Sequence, residues 1–251
     1  MRPLPWHQLL YSQGFGTRRV CLGLVEQGLV QAQQGEGWQT IEDPYDAVQA
    51  EPGMRFRVQG QAWVYQPLAY VVLHKPAGTE CSHKPGRWPS VYSLLPAPLR
   101  QRPSAGAVQG VQAVGRLDQD TTGLLLLSDD GAFIHRMASP KHHVPKVYQV
   151  HCAEPVTPDQ IQRLLDGVLL HDERQTVRAA AAHATGTHTL ALTLLEGKYH
   201  QVKRMLAAVG NQVVALHRSR MGQFDLPADL APGQWRWLTA SELAQAGSKI
   251  G

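Results

Sequence analysis

The spacing of apolar residues changes several times along the chain, and each change marks an element. From Trp6 to Ser12 the spacing is helical; Gln13-Gly14-Phe15-Gly16 makes a turn, and Thr17 stands before a second helix. In that helix Val20, Leu24 and Val25 share a face, Gly28 is a stop signal, and Leu29-Val30 opens an extended segment. Gly60 to Pro67 carries no helical period and ends in proline, which predicts a linker. The expected organisation is a small unit over residues 1–60, a linker over 61–68 and a larger domain over 69–251.

Beyond the linker, strand and helix patterns follow one another without regular alternation. Tyr70 to Leu73 reads as a short apolar strand that ends at the loop His74 to Gly78, and Pro89 to Gly106, with its prolines, reads as a long surface loop. Leu124 to Leu127 is an unbroken apolar run, a buried strand, and Ser128-Asp129-Asp130-Gly131 turns it into a helix with Phe133, Ile134 and Met137 on one side. Val147 to Cys152 alternates, setting Tyr148, Val150 and Cys152 against the wetter Gln149 and His151. Thr157-Pro158-Asp159-Gln160 has the residue types of a capping box, and Thr239 caps a last helix. Between them, Thr189 to Leu195 alternates as a strand, a helix runs from about His200 to Val209, and Gln212 to Leu216 returns as a strand. The pattern predicts an α+β domain on a mixed, largely antiparallel sheet.

Bulk properties narrow the field only a little. The 251 residues carry a formal charge of +4 and a pI near 9.1, a mild excess that suits a polyanion without demanding one. Three separated cysteines outside any CxxC pair predict neither a disulfide framework nor a zinc site. The amino-terminal residues show no signal-peptide apolar run and no stretch reaches the length of a membrane span, so a cytoplasmic protein without membrane contact is expected.

The chemistry is concentrated in Val114-Gly115-Arg116-Leu117-Asp118-Gln119-Asp120-Thr121-Thr122-Gly123 and the leucine run behind it. This places an arginine and a carboxylate on a glycine-flanked loop tied to a buried strand, a rigid mount for a reactive group. On these residues alone, Asp118 and Thr121 satisfying turn backbone is the commoner outcome for a loop aspartate. The run GRLD, two residues, T, one residue, GLLLL and then DG resembles the catalytic signature of the pseudouridine synthases that modify ribosomal RNA. Leu73 to Gly78 resembles the family's first motif, with His74 in place of asparagine. Lys146-Val147-Tyr148 resembles its KxY motif, Glu196 to Met205 its third motif, and Leu216 to Gly222 the segment that follows. Ser139 to His143, with the wording YHQVKRM and AAVGN, is most similar to the small-subunit branch. Thr17 to Arg19 and Leu24 to Val30 resemble an S4-type RNA-binding module, although Pro3-Leu4-Pro5 replaces its usual opening.

The resemblance implies isomerisation of a uridine in 16S ribosomal RNA, uridine 516 as the most specific expectation. It implies no cofactor, a ribosomal RNA or small-subunit assembly intermediate as partner, and a monomer. It gives Asp118 the role of nucleophile, Lys203 that of its basic partner, and Tyr148 that of a face and phenolic oxygen for the base. Arg116 would fill the space of the extruded base. Lys75, His200, Gln201 and Arg204 are expected RNA contacts of the catalytic domain, and Arg18 and Arg19 of the amino-terminal unit. Three alternatives stay open: a synthase acting on large-subunit RNA, a noncatalytic assembly factor, and a metal-dependent transferase using Asp118 and Asp120 as a DxD pair.

Overall fold

The computed structural model describes residues 3–104, 108–171 and 173–247, so the predicted loop's end at Gly106 lies outside the described residues. The chain divides into two compact units, one of Met1–Ala69 with Leu95–Gln112, the other of Tyr70–Leu94 with Ala113–Gly251.

The first unit opens with β1 (Leu4–Pro5), α1 (Trp6–Gln13) and α2 (Arg18–Glu26). The Thr17 side chain accepts the Val20 N–H at 3.3 Å and starts α2. Then come β2 (Val30–Gln34), β3 (Gly37–Thr40), β4 (Ala47–Val48), β5 (Arg55–Val58) and β6 (Gln61–Val64). Strands β3-β2-β5-β6 form an antiparallel sheet, and Trp6, Leu9, Leu10, Cys21, Val25 and Phe56 pack into the unit's core. Two expectations fail here. Val20 is 49% exposed and Cys21 takes its place in the buried stripe of α2, while Val25 is buried and Leu24 packs against the core. The first half of the predicted linker, residues 61–64, is β6, because Gln59 and Gly60 both take positive φ (51° and 79°) and close a two-residue hairpin from β5.

Residues 91–94 and 97–101 of the proline-rich stretch likewise form elements. Val91–Leu94 is a 3-10 turn, and α3 (Ala97–Gln101) has a proline in its first turn, where proline begins a helix instead of breaking it. Leu99 is buried in the first unit, and the buried Arg102 donates to the Gln13 side chain and to the carbonyls of Gln66 and Pro67. The stretch is thus divided, with residues up to Leu94 in the second unit and those from Leu95 in the first.

The second unit begins at β7 (Tyr70–Lys75), and the chain re-enters it within β8 (Gln112–Ala113). It continues through β9 (Thr122–Ser128), α4 (Gly131–Ala138), β10 (Lys146–Cys152), α5 (Pro158–Asp166), β11 (Ala181–Gly186) and β12 (Thr189–Leu194). It ends with α6 (Gln201–Ala208), β13 (Val213–Met221), β14 (Phe224–Asp225), β15 (Trp235–Trp237) and α7 (Ala240–Ala246). The sheet path is β11-β12-β10-β13-β9-β7-β15, a mixed, largely antiparallel arrangement of the expected class. The pairing of β13 with β9 is parallel.

Local signals account for much of this unit. All four leucines of β9 are fully buried, which is why the run does not alternate. Asp130 caps α4 by accepting from Ala132 and Phe133, and capping boxes open α5 at Thr157 and α7 at Thr239. Val72, Leu126, Phe133, Met137, Met221 and Phe224 form a core around β7, β9 and α4. In β10, Tyr148, Val150 and Cys152 are buried while Gln149 and His151 are exposed, as the alternation requires. Strand β12 differs: Ala191 and Thr193 are buried along with the leucines, so both of its faces are covered. Strand β7 runs two residues beyond Leu73, and Lys75 pairs with Gly123.

Candidate active site

The parallel junction of β9 and β13 fixes where the motif loop enters the sheet. Thr122 and Gly123 lie opposite His217 and Arg218, so residues 115–121 emerge near the middle of the sheet. Gly123 makes the approach possible. Its φ is +106°, and a Cβ there would stand 2.3 Å from the Arg218 carbonyl oxygen. The loop is then fastened from several sides: Thr121 N–H donates to the Asp118 carbonyl at 3.1 Å, and Gly78 N–H to the Gln119 carbonyl at 2.8 Å.

Lys75 supplies the support beneath. Its side chain is fully buried, and Nζ donates to the carbonyls of Thr121 (2.9 Å), Pro76 (3.1 Å) and Gln119 (3.4 Å). Burial pulls this ammonium below the usual lysine range, against the opposing pull of Asp120 and Asp118. The expectation that Lys75 contacts RNA is therefore corrected: its donors are spent on loop carbonyls and it has no surface to offer.

Asp118 faces two bases from α6 and the residue before it. Lys203 Nζ is 3.2 Å from Oδ2, and His200 Nε2 is 3.4 Å from Oδ1. Lys203 is shared, because Asp120 takes its two shorter contacts at 2.7 and 2.9 Å. Burial disfavours the charge on Asp120, but hydrogen bonding and attraction from Lys203 outweigh it and hold the carboxyl below its ordinary value. Lys203 is raised in turn: its burial penalty is outweighed by Asp120 and Asp118. The two carboxylates thus converge on one ammonium. Among the described residues no group of three His, Cys, Asp or Glu side chains is arranged to hold a metal ion.

His200 reaches Asp118 from an unusual backbone position, φ 47° and ψ 33°, immediately before α6. Its ring stacks on Tyr199 at 3.8 Å, and Tyr199 is 76% exposed. Asp118, Arg116, Tyr148, His200 and Lys203 together line an inner recess of about 70 Å³. A wider depression of about 710 Å³ shares Arg116, Asp118, His200 and Lys203 with it and adds Glu80, Cys81 and Tyr199. That outer volume falls in the range of small-molecule sites.

The remaining predicted residues separate. Gln201 also lines the recess, and its amide accepts from Lys198 N–H at 2.8 Å and donates to Glu196 at 3.2 Å, bracing the turn before α6. Arg204 is half-buried and donates to the Tyr199 carbonyl at 3.2 Å. Arg18 and Arg19 are exposed on the first turn of α2 in the first unit, Arg18 lying 4.8 Å from the Tyr11 ring.

Two buried cations escaped assignment from sequence. Arg218 sits opposite Tyr148 in the β10–β13 ladder, donates through Nε to the Leu124 carbonyl at 2.8 Å, and is 1% exposed. Lys146 is buried, donates to the Val144 carbonyl at 3.0 Å, and is pulled down to about 8 by burial and by Arg218. Their presence in matched motifs was the available signal; their burial was not visible. His74 donates from Nδ1 to the Leu230 carbonyl at 2.7 Å, which gives the substituted motif position a structural tie to the chain before β15.

Residues 69–208 match the family described as RNA pseudouridylate synthase. Ribosomal small subunit pseudouridine synthase A of Escherichia coli (strain K12) is 45% identical over 175 residues, covering 70% of this chain and 72% of that protein. The protein of the same name from Vibrio cholerae is 41% identical over 186 residues, covering 74% and 77%. A crystal structure described as a pseudouridylate synthase aligns with a TM-score of 0.65 at 32% identity, covering 97% of this chain and 99% of that one.

Proposed function

The chain belongs to the RNA pseudouridylate synthase family, and from that premise we propose that it converts one uridine of small-subunit 16S ribosomal RNA, at the 516 site, to pseudouridine with Asp118 as nucleophile. The substrate is suggested by the relatives at 41 to 45% identity, whose names specify the ribosomal small subunit. The observation that carries the chemistry is the meeting of Asp118, Lys203 and Tyr148 around one recess.

In this reading the uridine leaves its stack and enters the depression, at a cost of a few kcal/mol. An Asp118 oxygen attacks C1′ of the ribose as the bond from C1′ to N1 breaks, and the base departs with that electron pair. The base turns, C5 bonds to C1′, and the aspartate is released as a carboxylate. The proton on C5 is then lost while N1 gains one, which balances the isomerisation. Tyr148 supplies a stacking face and a phenolic oxygen for the C5 proton. Arg116 fills the vacated stack, and Lys203 holds the position and charge of Asp118. The amino-terminal unit serves as an S4-like RNA-binding module through Arg18 and Arg19, and its boundary extends through β6.

Asp118→Asn keeps the side chain's shape and removes its charge and nucleophilicity. Turnover on 16S RNA should vanish while RNA affinity stays within a few fold. Substantial turnover by this variant refutes the nucleophile assignment. Pseudouridine appearing only in large-subunit RNA, in cells with the protein against cells without it, refutes the substrate assignment.

A further inference from the structure

The loop from Glu80 to Ser90 plays no part in the chemistry above, yet it is firmly built. Glu80 and Ser90 form a bridge, and Ser90 Oγ donates to the Ser82 carbonyl at 2.6 Å. The Glu80 carboxylate accepts the N–H groups of Gly86 at 3.0 Å and Trp88 at 3.1 Å, while His83 stacks on Tyr92 at 3.8 Å. Glu80 is the loop's sole acidic residue, and its oxygens are turned to backbone; Lys84 and Arg87 remain as outward charges.

This frame presents one large aromatic. Trp88 is 38% exposed, and its ring lies close over Gly78, where an added Cβ would come within 3.8 Å of ring carbons. Gly78 in turn donates to the carbonyl of Gln119, the neighbour of Asp118. The indole therefore packs against the residue that fastens the nucleophile loop. Arg87 lies 5.5 Å from its ring centroid, and Glu80 and Cys81 line the same depression as Asp118 and Arg116. A single indole beside Arg87, on a loop that also carries the exposed Lys84, lacks the contiguous apolar area that a protein partner would cover. It has what an unpaired nucleotide needs: a π face beside cations.

We propose that Trp88 is a stacking station for an unpaired nucleobase beside the target uridine, with Arg87 taking that nucleotide's phosphate. The inference rests on the RNA-modifying reading above. Drawing one uridine out of its stack leaves a neighbour's face uncovered, and an aromatic packed against the residue that fastens the nucleophile loop replaces the lost partner.

The test uses the full chain and a short oligoribonucleotide with one central uridine, its flanking positions replaced one at a time by abasic nucleotides. Wild-type protein should lose about five- to hundredfold in affinity at one flanking position. Trp88→Ala should lose a similar factor on intact RNA and nothing further on that abasic RNA. Trp88→Phe should retain most of the affinity, and single-turnover rates at saturating RNA should stay near wild type for both. Arg87→Ala should flatten the log-affinity against log-salt slope by about 0.7 and keep the abasic effect. Wild-type affinity in a folded Trp88→Ala, or an abasic penalty that persists in it, overturns the proposal. So does a wild-type protein indifferent to every abasic position, a result that stands even if the alanine variant does not fold. Tight binding without turnover on 16S RNA would instead refute the proposed function and leave the stacking station in place.

Discussion

Gly123→Ala should damage the protein far more than its size suggests. The residue sits at φ +106°, where an L side chain is strained, and the new Cβ would meet the Arg218 carbonyl oxygen at 2.3 Å and its nitrogen at 2.8 Å. Backbone strain of this kind costs about 1–3 kcal/mol. The clash is with backbone on both sides of a ladder and cannot be relieved by turning a rotamer, so overpacking adds about 1–3 kcal/mol. The sum, about 2–6 kcal/mol, is a large share of the roughly 5–15 kcal/mol that holds a domain folded. For a unit of this size each kcal/mol moves the midpoint by about 2–4 °C, giving a fall of roughly 4–24 °C. Thermal and urea denaturation would measure it, with Gly131→Ala as the control: that glycine has nothing near its would-be Cβ and opens α4, so alanine should be neutral or slightly stabilising. A Gly123→Ala protein within about 1 kcal/mol of wild type would refute the claim that close passage of β9 along β13 sets the Asp118 loop.

Three further outcomes follow from the same geometry. Lys75→Met should lower stability by about 1–3 kcal/mol by stranding loop carbonyls and slow single turnover, yet leave the salt dependence of RNA binding unchanged; a flattened salt slope would restore Lys75 as an RNA contact. Replacing Arg18 and Arg19 together with alanine should weaken binding and flatten the salt slope by about 0.7–0.9 per lost contact, with single-turnover rates at saturation near wild type; unchanged affinity and slope would remove the amino-terminal unit as RNA anchor. Glu242 is held down to about 2, chiefly by its hydrogen bonds from Arg236. Because its folded value is depressed, this stabilisation is complete above the ordinary carboxylate range and lost as pH falls toward 2. Glu242→Gln should therefore weaken the pH dependence of the denaturation midpoint in that window, and a titration matching wild type would sink the assignment.

Features whose causes lie within a few residues are legible in the amino-acid order. Thr157 and Thr239 could be read as caps because a capping box closes over three positions, and the leucines of β9 as a buried strand because nothing polar interrupts them. The order of the motifs likewise singled out Asp118, since a reactive loop and its strand are contiguous. Where the reading failed, the cause was at a distance or in a single turn. Positive φ at Gln59 and Gly60 made a hairpin of a predicted linker, and Cys21 displaced Val20 from the buried face of α2 once α1 and β5 packed against it. The electrostatics of the site arise from contacts between residues far apart in the chain. Lys203 meets Asp120 across 83 residues of chain, and Lys75 meets Thr121 across 46. Identical residue types would read the same in sequence whether solvated or buried; what separates Lys75 from Lys203 is which carbonyls and carboxylates the folded chain brings to each ammonium, and that is a property of packing.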